Sequence, residues 1–516
     1  MKIGDLNEKE LGVVLTPPIT ADYIVSKLGA IPDNRKVLDP CVGPGIFVKA
    51  LLKAGVDKSQ IYCHDINSDY EVNIKELGVR FKTIDNLLSF TSECYEEYDF
   101  IVGNPPYLNK ASSYIRKNKT KLKQIYGKIN AHETYSMFIV NSIWRLKEGG
   151  KLGFITSDSF LTLSTHTKLR RFILENCIIN EILLAPIKLF DNQNVSTYPV
   201  IFFLTKCSKE KDDQIRNNNI MKIIPRIKSE AEYWNPPIIT EIKQNRYKTL
   251  PFNIFFVDAE DQILDLFENA PKLELFIKGY IGMHTHNNKK FIAAIDDTEL
   301  GDIFRKKHSD KKENEIFKII TKRELETGSW KPYLKRGGGD QYYRPIMEAL
   351  DWEQDSISVY DIPKSVPFGD GGLVVSGVTS RLAARYMPEG CYWDSNKAMG
   401  FIVMDRSISI DYFLGLLNSS LYNYLSKGII NNTSSIQLTG IHSLPFIIPD
   451  KTTHDEISLL VKKIIENKKK NLSYDYTEEQ KSIDSIVFEL YAKKFRLSQD
   501  LKKKLDENYA IYNKSL

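Results

Sequence analysis

Between about residue 20 and residue 206 the chain alternates short apolar runs with amphipathic stretches, and several runs end on an acid or a glycine. That rhythm specifies parallel strands joined by crossover helices, an α/β layer architecture. The spacing predicts strands at Lys36–Asp39, Gln60–Asp65, Val79–Ile84, Asp99–Gly103, Leu152–Thr156, Ile178–Leu184 and Tyr198–Thr205. A helix is expected over Glu133–Leu146, with Gly149-Gly150 as its stop. The last two strands follow each other with no helix between them, so a hairpin at a sheet edge is expected. An exposed polar loop should follow over Lys206–Asn219.

The first strand runs through Val37-Leu38-Asp39 into Pro40-Cys41-Val42-Gly43-Pro44-Gly45 and then Ile46-Phe47. Glycines let the backbone approach a ligand closely, and such sheets bind ligands beyond the carboxyl ends of their strands. A plain strand-to-helix turn would read the same way. The second strand ends at Asp65-Ile66, an acid able to accept both hydroxyls of a ribose or, equally, to cap the next helix. The third ends at Asp85-Asn86, suited to an adenine amino group. Three acids at successive strand ends point to a nucleoside-bearing ligand. Neither a phosphate-binding P-loop nor GxGxxG is present, which argues against a nucleoside triphosphate or a dinucleotide.

The fourth strand leads through Val102-Gly103 into Asn104-Pro105-Pro106-Tyr107. The prolines fix the backbone and remove donors, so the Asn104 side chain and the Pro105 carbonyl can face one small amino group. An amino nitrogen conjugated to a planar ring is a poor nucleophile. Two acceptors holding its protons localise its lone pair for attack on an electrophilic methyl group. Tyr107 adds a stacking face for a planar base. Alone, the motif supports methylation of a planar amino or amide nitrogen.

Beyond about residue 255 the rhythm changes to glycine-rich turns (Gly337-Gly338-Gly339, Gly369–Gly372) between aromatic-rich segments, the mark of a second, mixed domain. From Thr453 onward Lys, Glu and Leu periodicity predicts helices. In the order Thr16-Pro17, glycine turn, acidic strand ends, Asn-Pro-Pro-Tyr and a large C-terminal half, the chain resembles the gamma-class adenine-N6 DNA methyltransferases of restriction-modification and phage-defence systems. Val14 and Leu15 stand where that family carries aromatics.

The resemblance implies a Rossmann-like methyltransferase domain over 1–250, a mixed α/β target-recognition domain over 251–450 and a helical segment over 451–516 packed on it. It implies S-adenosylmethionine as cofactor, contacted by Thr16, Pro17, Asp39, Cys41, Gly43, Gly45, Asp65, Ile66, Asp85, Asn86, Asn104 and Pro106. Asn104, Pro105, Pro106 and Tyr107 would be catalytic, with a flipped adenine sandwiched between Tyr107 and Phe190. Transfer would be direct, with no metal and no covalent intermediate. Release-factor glutamine and RNA amino-group methyltransferases share the motif, but the former are shorter and need no such second half.

A net charge of +5 and a pI near 8.5 fit a nucleic-acid binder without requiring one. Lys110, Arg116, Lys117, Lys119, Lys121, Lys123 and Lys128, interleaved with Tyr114 and Tyr126, form a run without an acid before Glu133. Beside a base-binding motif they are candidates for phosphate contacts. Lys335, Arg336, Arg381, Arg385 and the His284–Asn288 loop are the candidates for contacts in the second half. The six scattered cysteines include no CxxC pair, so neither disulfides nor a metal centre is expected, and a reducing cytoplasm is the natural setting. The opening MKIGDLNEKELGVVL does not read as a secretory signal, and no apolar run reaches bilayer length. The expected partner is double-stranded DNA, with the chain a monomer and any cognate restriction endonuclease separate.

Overall fold

The computed structural model describes residues 12–130, 132–193, 198–208, 212–257, 261–308, 318–395, 397–430 and 436–514. The opening residues 1–11, on which the reading of no secretory signal partly rests, lie outside the described residues. Contacts divide the chain into two compact units, Met1–Leu264 and Asp265–Leu516.

The first unit is built on a sheet of nine strands: β1 (Val37–Asp39), β2 (Ile61–Asp65), β3 (Arg80–Thr83), β4 (Tyr98–Gly103), β5 (Leu146–Ser157), β6 (Cys177–Leu184), β7 (Pro199–Lys206), β8 (Ile220–Ile224) and β9 (Thr240–Lys243). Their order is β3-β2-β1-β4-β5-β7-β6-β8-β9. The pairs from β3 to β5 are parallel, and every residue of β1 and β4 is buried. This is why the strands read as unbroken apolar runs. The order of strands reverses between β1 and β4, the place where open α/β sheets leave a crevice.

The helices that matter here are α1 (Pro18–Lys27), α2 (Ile46–Lys53), α3 (Ser113–Tyr126), α4 (Thr134–Arg145) and α5 (Thr167–Asn176). Helix α1 starts with proline at its first position, where the missing N–H is no loss. Gly45 enters α2 in the left-handed region (φ +87°), and a Cβ there would sit 2.6 Å from Ile74 Cδ1.

Three expectations need correction. Helix α4 ends at Arg145 and β5 begins at the next residue, so Gly149-Gly150 is not a helix stop. The pair lies inside β5 where its register against β4 slips, Tyr98 pairing with Leu146 but Phe100 with Lys151. Gly149 takes φ +77° in that irregularity. The β6–β7 hairpin is real but not at the edge, because β8 pairs in parallel with β6 and β9 closes the sheet. Within the polar stretch before β8, Asp213–Asn218 is helical rather than loop.

The first unit also runs past residue 250. The buried Arg170 of α5 donates to the carbonyls of Phe252 and Asn253 as well as to those of Phe160 and Leu163, tying this strap to the domain.

The second unit holds two sheets. One orders β10 (Ile277–Ile281), β18 (Ala398–Val403), β15 (Gly372–Ser376) and β16 (Ala384–Met387). The other orders β12 (Ile319–Ile320), β11 (Ile292–Ile295), β14 (Glu348–Asp351), β13 (Trp330–Leu334) and β17 (Tyr392–Trp393). Helices α6 (Ile410–Asn418), α7 (Lys451–Lys470), α8 (Thr477–Phe495) and α9 (Gln499–Lys514) complete it. Gly415 lets α6 approach α7, since a Cβ there would meet Ile457 at 2.4 Å.

Gly153 lies in β5 beneath α1, where a Cβ would come within 3.0 Å of Ile24 and 3.2 Å of Phe203. Gly153→Val should therefore lower stability by about 1–3 kcal/mol through overpacking, read as a reduced urea midpoint. An unchanged midpoint would show that the α1–β5 contact is looser than described.

Candidate active site

A cavity of about 290 Å³ opens beyond the strand ends of β1 to β4. Of the residues expected to touch a cofactor, Thr16, Cys41, Gly43, Asp65, Ile66, Asp85, Asn86, Asn104 and Pro106 line it. Pro17, Asp39 and Gly45 are not among its lining residues. Pro17 precedes α1 as its cap and Gly45 supplies the left-handed entry to α2, so both serve the backbone.

Asn104 sits at the end of β4 with its amide held. Its Nδ2 donates to the Val14 carbonyl at 2.9 Å and to Thr16 Oγ1 at 3.1 Å. Turning the amide over would forfeit the bond to the Val14 carbonyl and set two oxygens against each other, so Oδ1 is fixed as the free atom. It is buried without a hydrogen-bond partner. An unsatisfied buried acceptor costs about 1–3 kcal/mol, which a ligand donor can recover.

The turn around Asn104 is clamped from two directions. The Tyr107 N–H donates to the Gly12 carbonyl at 3.0 Å. Thr134 Oγ1, at the start of α4, donates to the Pro106 carbonyl at 2.5 Å and accepts from Leu108 N–H at 2.9 Å. The Pro105 carbonyl accepts no hydrogen bond among the described residues. Gln193 fixes the opening segment itself, accepting from Leu15 N–H (2.5 Å) and donating to the Leu15 carbonyl (2.8 Å). Sequence reasoning missed Thr134 and Gln193. Thr134 had one available signal, a hydroxyl residue at a predicted helix start; Gln193 had none.

The acids differ in their tasks. Asp65 accepts from the N–H groups of Gly43 and Asn67, both at 2.9 Å, so it holds the glycine turn while facing the cavity. Asp85 accepts from Leu87 and Leu88 N–H and from the Tyr114 hydroxyl, all at 3.0 Å. Burial raises both carboxyls above the ordinary carboxylate range. Asp39 lies beneath the turn, fully buried, accepting only from Cys41 N–H at 3.2 Å. Its other oxygen has no partner, and burial pushes the carboxyl up to about 8. Among the described residues none of the three acids is ion-paired. Asn86 is structural, bridging the Pro40 carbonyl (2.7 Å) and His64 Nδ1 (3.0 Å).

Residues 48–190 match the Eco57I restriction-modification methylase family. The chain is 23% identical over 507 residues to the type II methyltransferase M.HincII of Haemophilus influenzae, covering 90% of this chain and 96% of that protein. It is 21% identical over 412 residues to the adenine-specific methyltransferase BrxX of Escherichia coli O9:H4 (strain HS), covering 76% of this chain and 31% of that one. Its fold is similar to that of a nuclease-deletion mutant of the Type ISP restriction-modification enzyme LlaGI, with a TM-score of 0.50 at 15% identity over 88% of this chain and 54% of that chain.

Other expected site residues fall in less direct places. Tyr107 and Phe190 do meet, with ring centroids 6.4 Å apart, but edge to face at 74° rather than as parallel faces. Phe190 is 4% exposed and packs in the core of the first unit. The basic run after Tyr107 is a helix, not a loop. Ser112 caps α3, whose Ile115, Leu122 and Tyr126 are buried, while Lys110, Arg116, Lys117, Lys119, Lys121 and Lys123 are exposed.

The basic candidates of the second unit are engaged by its own groups: Arg381 and Arg385 are buried, whereas Lys335 is half-buried and Arg336 exposed. Lys335 pairs with Asp394, and Arg336 with Glu348 at 2.6 Å. Arg381, 7% exposed, donates to the Gly339 carbonyl at 2.9 Å. Arg385, 2% exposed, donates to Ser376 Oγ and the Arg336 carbonyl, and burial lowers it to about 9. Arg381 and Arg385, expected among the contact candidates of the second half, are thus turned inward. In the His284–Asn288 loop, His284 meets Ser395 and His286 pairs with Asp361, both at 2.8 Å.

Asp39 makes folding sensitive to pH. Its folded value of about 8 lies above the ordinary 3.8, so the folded chain retains a proton that the unfolded chain has released. The resulting stability is full below the unfolded value and is lost as the pH rises through the folded one. The Tm of the ligand-free chain should fall between about pH 5 and about pH 8.5, and Asp39→Asn, neutral throughout, should flatten that fall. Parallel Tm profiles for the two would refute this role.

Proposed function

We propose that this chain transfers a methyl group from S-adenosylmethionine to the N6 amino group of adenine in double-stranded DNA. The observation that carries the reading is the buried, unpartnered Oδ1 of Asn104 beside the cavity. The kinship with methylases of restriction-modification systems supports DNA as the substrate, as does the adenine-specific relative.

The residues present fit the cofactor. Asp65 and Asp85 offer carboxylates at adjacent strand ends, and Ile66, Leu87 and Phe138 supply apolar walls for a purine. Unpaired acids around the cavity favour a cationic ligand. When bound, S-adenosylmethionine supplies a methyl group on a positively charged sulfur.

The chain's own part is orientation and proton handling. Asn104 Oδ1 and the Pro105 carbonyl accept the two amino protons of adenine, drawing its nitrogen toward tetrahedral geometry and localising the lone pair. The same acceptors hold the proton that the methylated nitrogen must shed. Admitting the base between Tyr107 and Phe190 requires the edge-to-face contact to open.

Labelled-methyl assays should offer duplex DNA, RNA and release factor separately. Label should enter duplex DNA, and Asn104→Ala should lower the rate by about 100- to 1000-fold, the scale of one lost transition-state hydrogen bond. Calorimetric binding of S-adenosylmethionine should survive that substitution. Full activity in Asn104→Ala would reject the mechanism, and label entering only RNA or release factor would reject the substrate.

A further inference from the structure

A second, wider groove of about 940 Å³ lies in the first unit. Its basic lining comes from the end of α3 (Lys123), the residues that follow (Lys128, His132) and the start of α5 (Lys168, Arg171). No acid lines it, and all five basic side chains belong to exposed residues. Among the described residues, Lys123, Lys128, Lys168 and Arg171 have no carboxylate ion-pair partner. Such a cluster repels itself, and a polyanion relieves the repulsion.

The remaining lining is polar. Gln124 and Asn130 provide amides, and Ser164, Thr165 and Thr167 place hydroxyls around the first turn of the ten-residue α5. Ile129 is the only aliphatic side chain in the lining beyond these. The groove has more than three times the volume of the cofactor cavity, which suits a run of phosphates rather than one anion.

Its position links it to the catalytic turn. Asn130, 3% exposed, lies at the groove with its Nδ2 2.9 Å from His166 Nδ1. His166 Nε2 lies 3.0 Å from the Tyr135 hydroxyl, and the Tyr135 ring is 6.3 Å from that of Tyr107. The groove and the base platform are therefore separated by a short chain of contacting side chains.

We propose that this groove binds the phosphodiester backbone of DNA flanking the methylated base, with Lys128, Lys168 and Arg171 as its principal phosphate contacts. The identity of the polymer rests on the function proposed above, whereas the groove's charge stands independently.

The test compares the full chain with Lys128→Ala/Lys168→Ala/Arg171→Ala and with a control, Lys58→Ala/Lys82→Ala/Lys222→Ala, that removes the same charge elsewhere in the first unit. Anisotropy of a labelled duplex of arbitrary sequence is followed across a salt series, with S-adenosylmethionine binding as the check on folding. The groove variant should bind about tenfold or more weakly, with a log K against log salt slope shallower by about 2–3, near 0.9 per lost phosphate contact. The control should resemble the wild type. Unchanged affinity and slope in the groove variant, or an equal loss in the control, overturns the proposal. If the wild type methylates duplex DNA while the groove variant binds it normally, only the groove is rejected. If the wild type neither binds nor methylates duplex DNA, the functional reading falls with it.

Discussion

The amide of Asn104 is gripped by acceptors 90 and 88 residues earlier in the chain, and the rest of the site is arranged around that grip. A carboxamide has one acceptor and two donors, and its orientation is fixed only when one end is engaged. The Val14 carbonyl and Thr16 Oγ1 engage the donor end, leaving Oδ1 buried and unsatisfied. The opening segment is in turn locked to Gln193, and the Asn-Pro-Pro-Tyr turn to Gly12 and Thr134. Every one of these contacts joins residues far apart in sequence. Catalytic geometry therefore depends on the assembled sheet rather than on the motif alone.

The electrostatics follow the same logic one strand away. Parallel strands covered on both faces deliver their carboxyl ends into a sheltered crevice, so acids placed there lose water. Asp65 and Asp85 compensate with backbone N–H groups, and Asp85 also with the Tyr114 hydroxyl. Asp39 has a single such bond and is held as a neutral acid well above the usual range. Gly103 lies beside it because a Cβ there would come within 3.2 Å of the Asp39 carboxyl. The result is a crevice with two hydrogen-bonded carboxyl groups at its wall and a third, shifted furthest upward by burial, beneath.

Much of this was legible in the sequence, for identifiable reasons. Buried parallel strands announce themselves as apolar runs, and glycine turns and acids mark their ends, so β1 to β7 and nine of the residues that line the cavity could be read directly. Asp39 could not be separated from Asp65 and Asp85, because the identity of a strand-end residue does not say which way its side chain turns. Tyr114, Thr134 and Gln193 act over distances that local pattern does not encode. The short strand β8 follows a polar stretch and lies beyond the expected loop, so the β6–β7 hairpin read as an edge. Arg381 and Arg385 read as surface cations because charge is usually solvated, yet backbone carbonyls around Gly337–Gly339 draw them inward. Phe190 meets Tyr107 edge to face and packs as a core residue, an orientation that local pattern does not encode.

The central claim is that the buried acceptor of Asn104 receives the amino group of an adenine in DNA. It is tested most directly by modification-sensitive sequencing of genomic DNA from cells expressing the chain, set against cells expressing its Asn104→Ala variant. The account predicts N6-methyladenine at one defined sequence context with the wild type and its disappearance with the variant. Genomic DNA without methyladenine, or with methyladenine that persists in the variant, would contradict it.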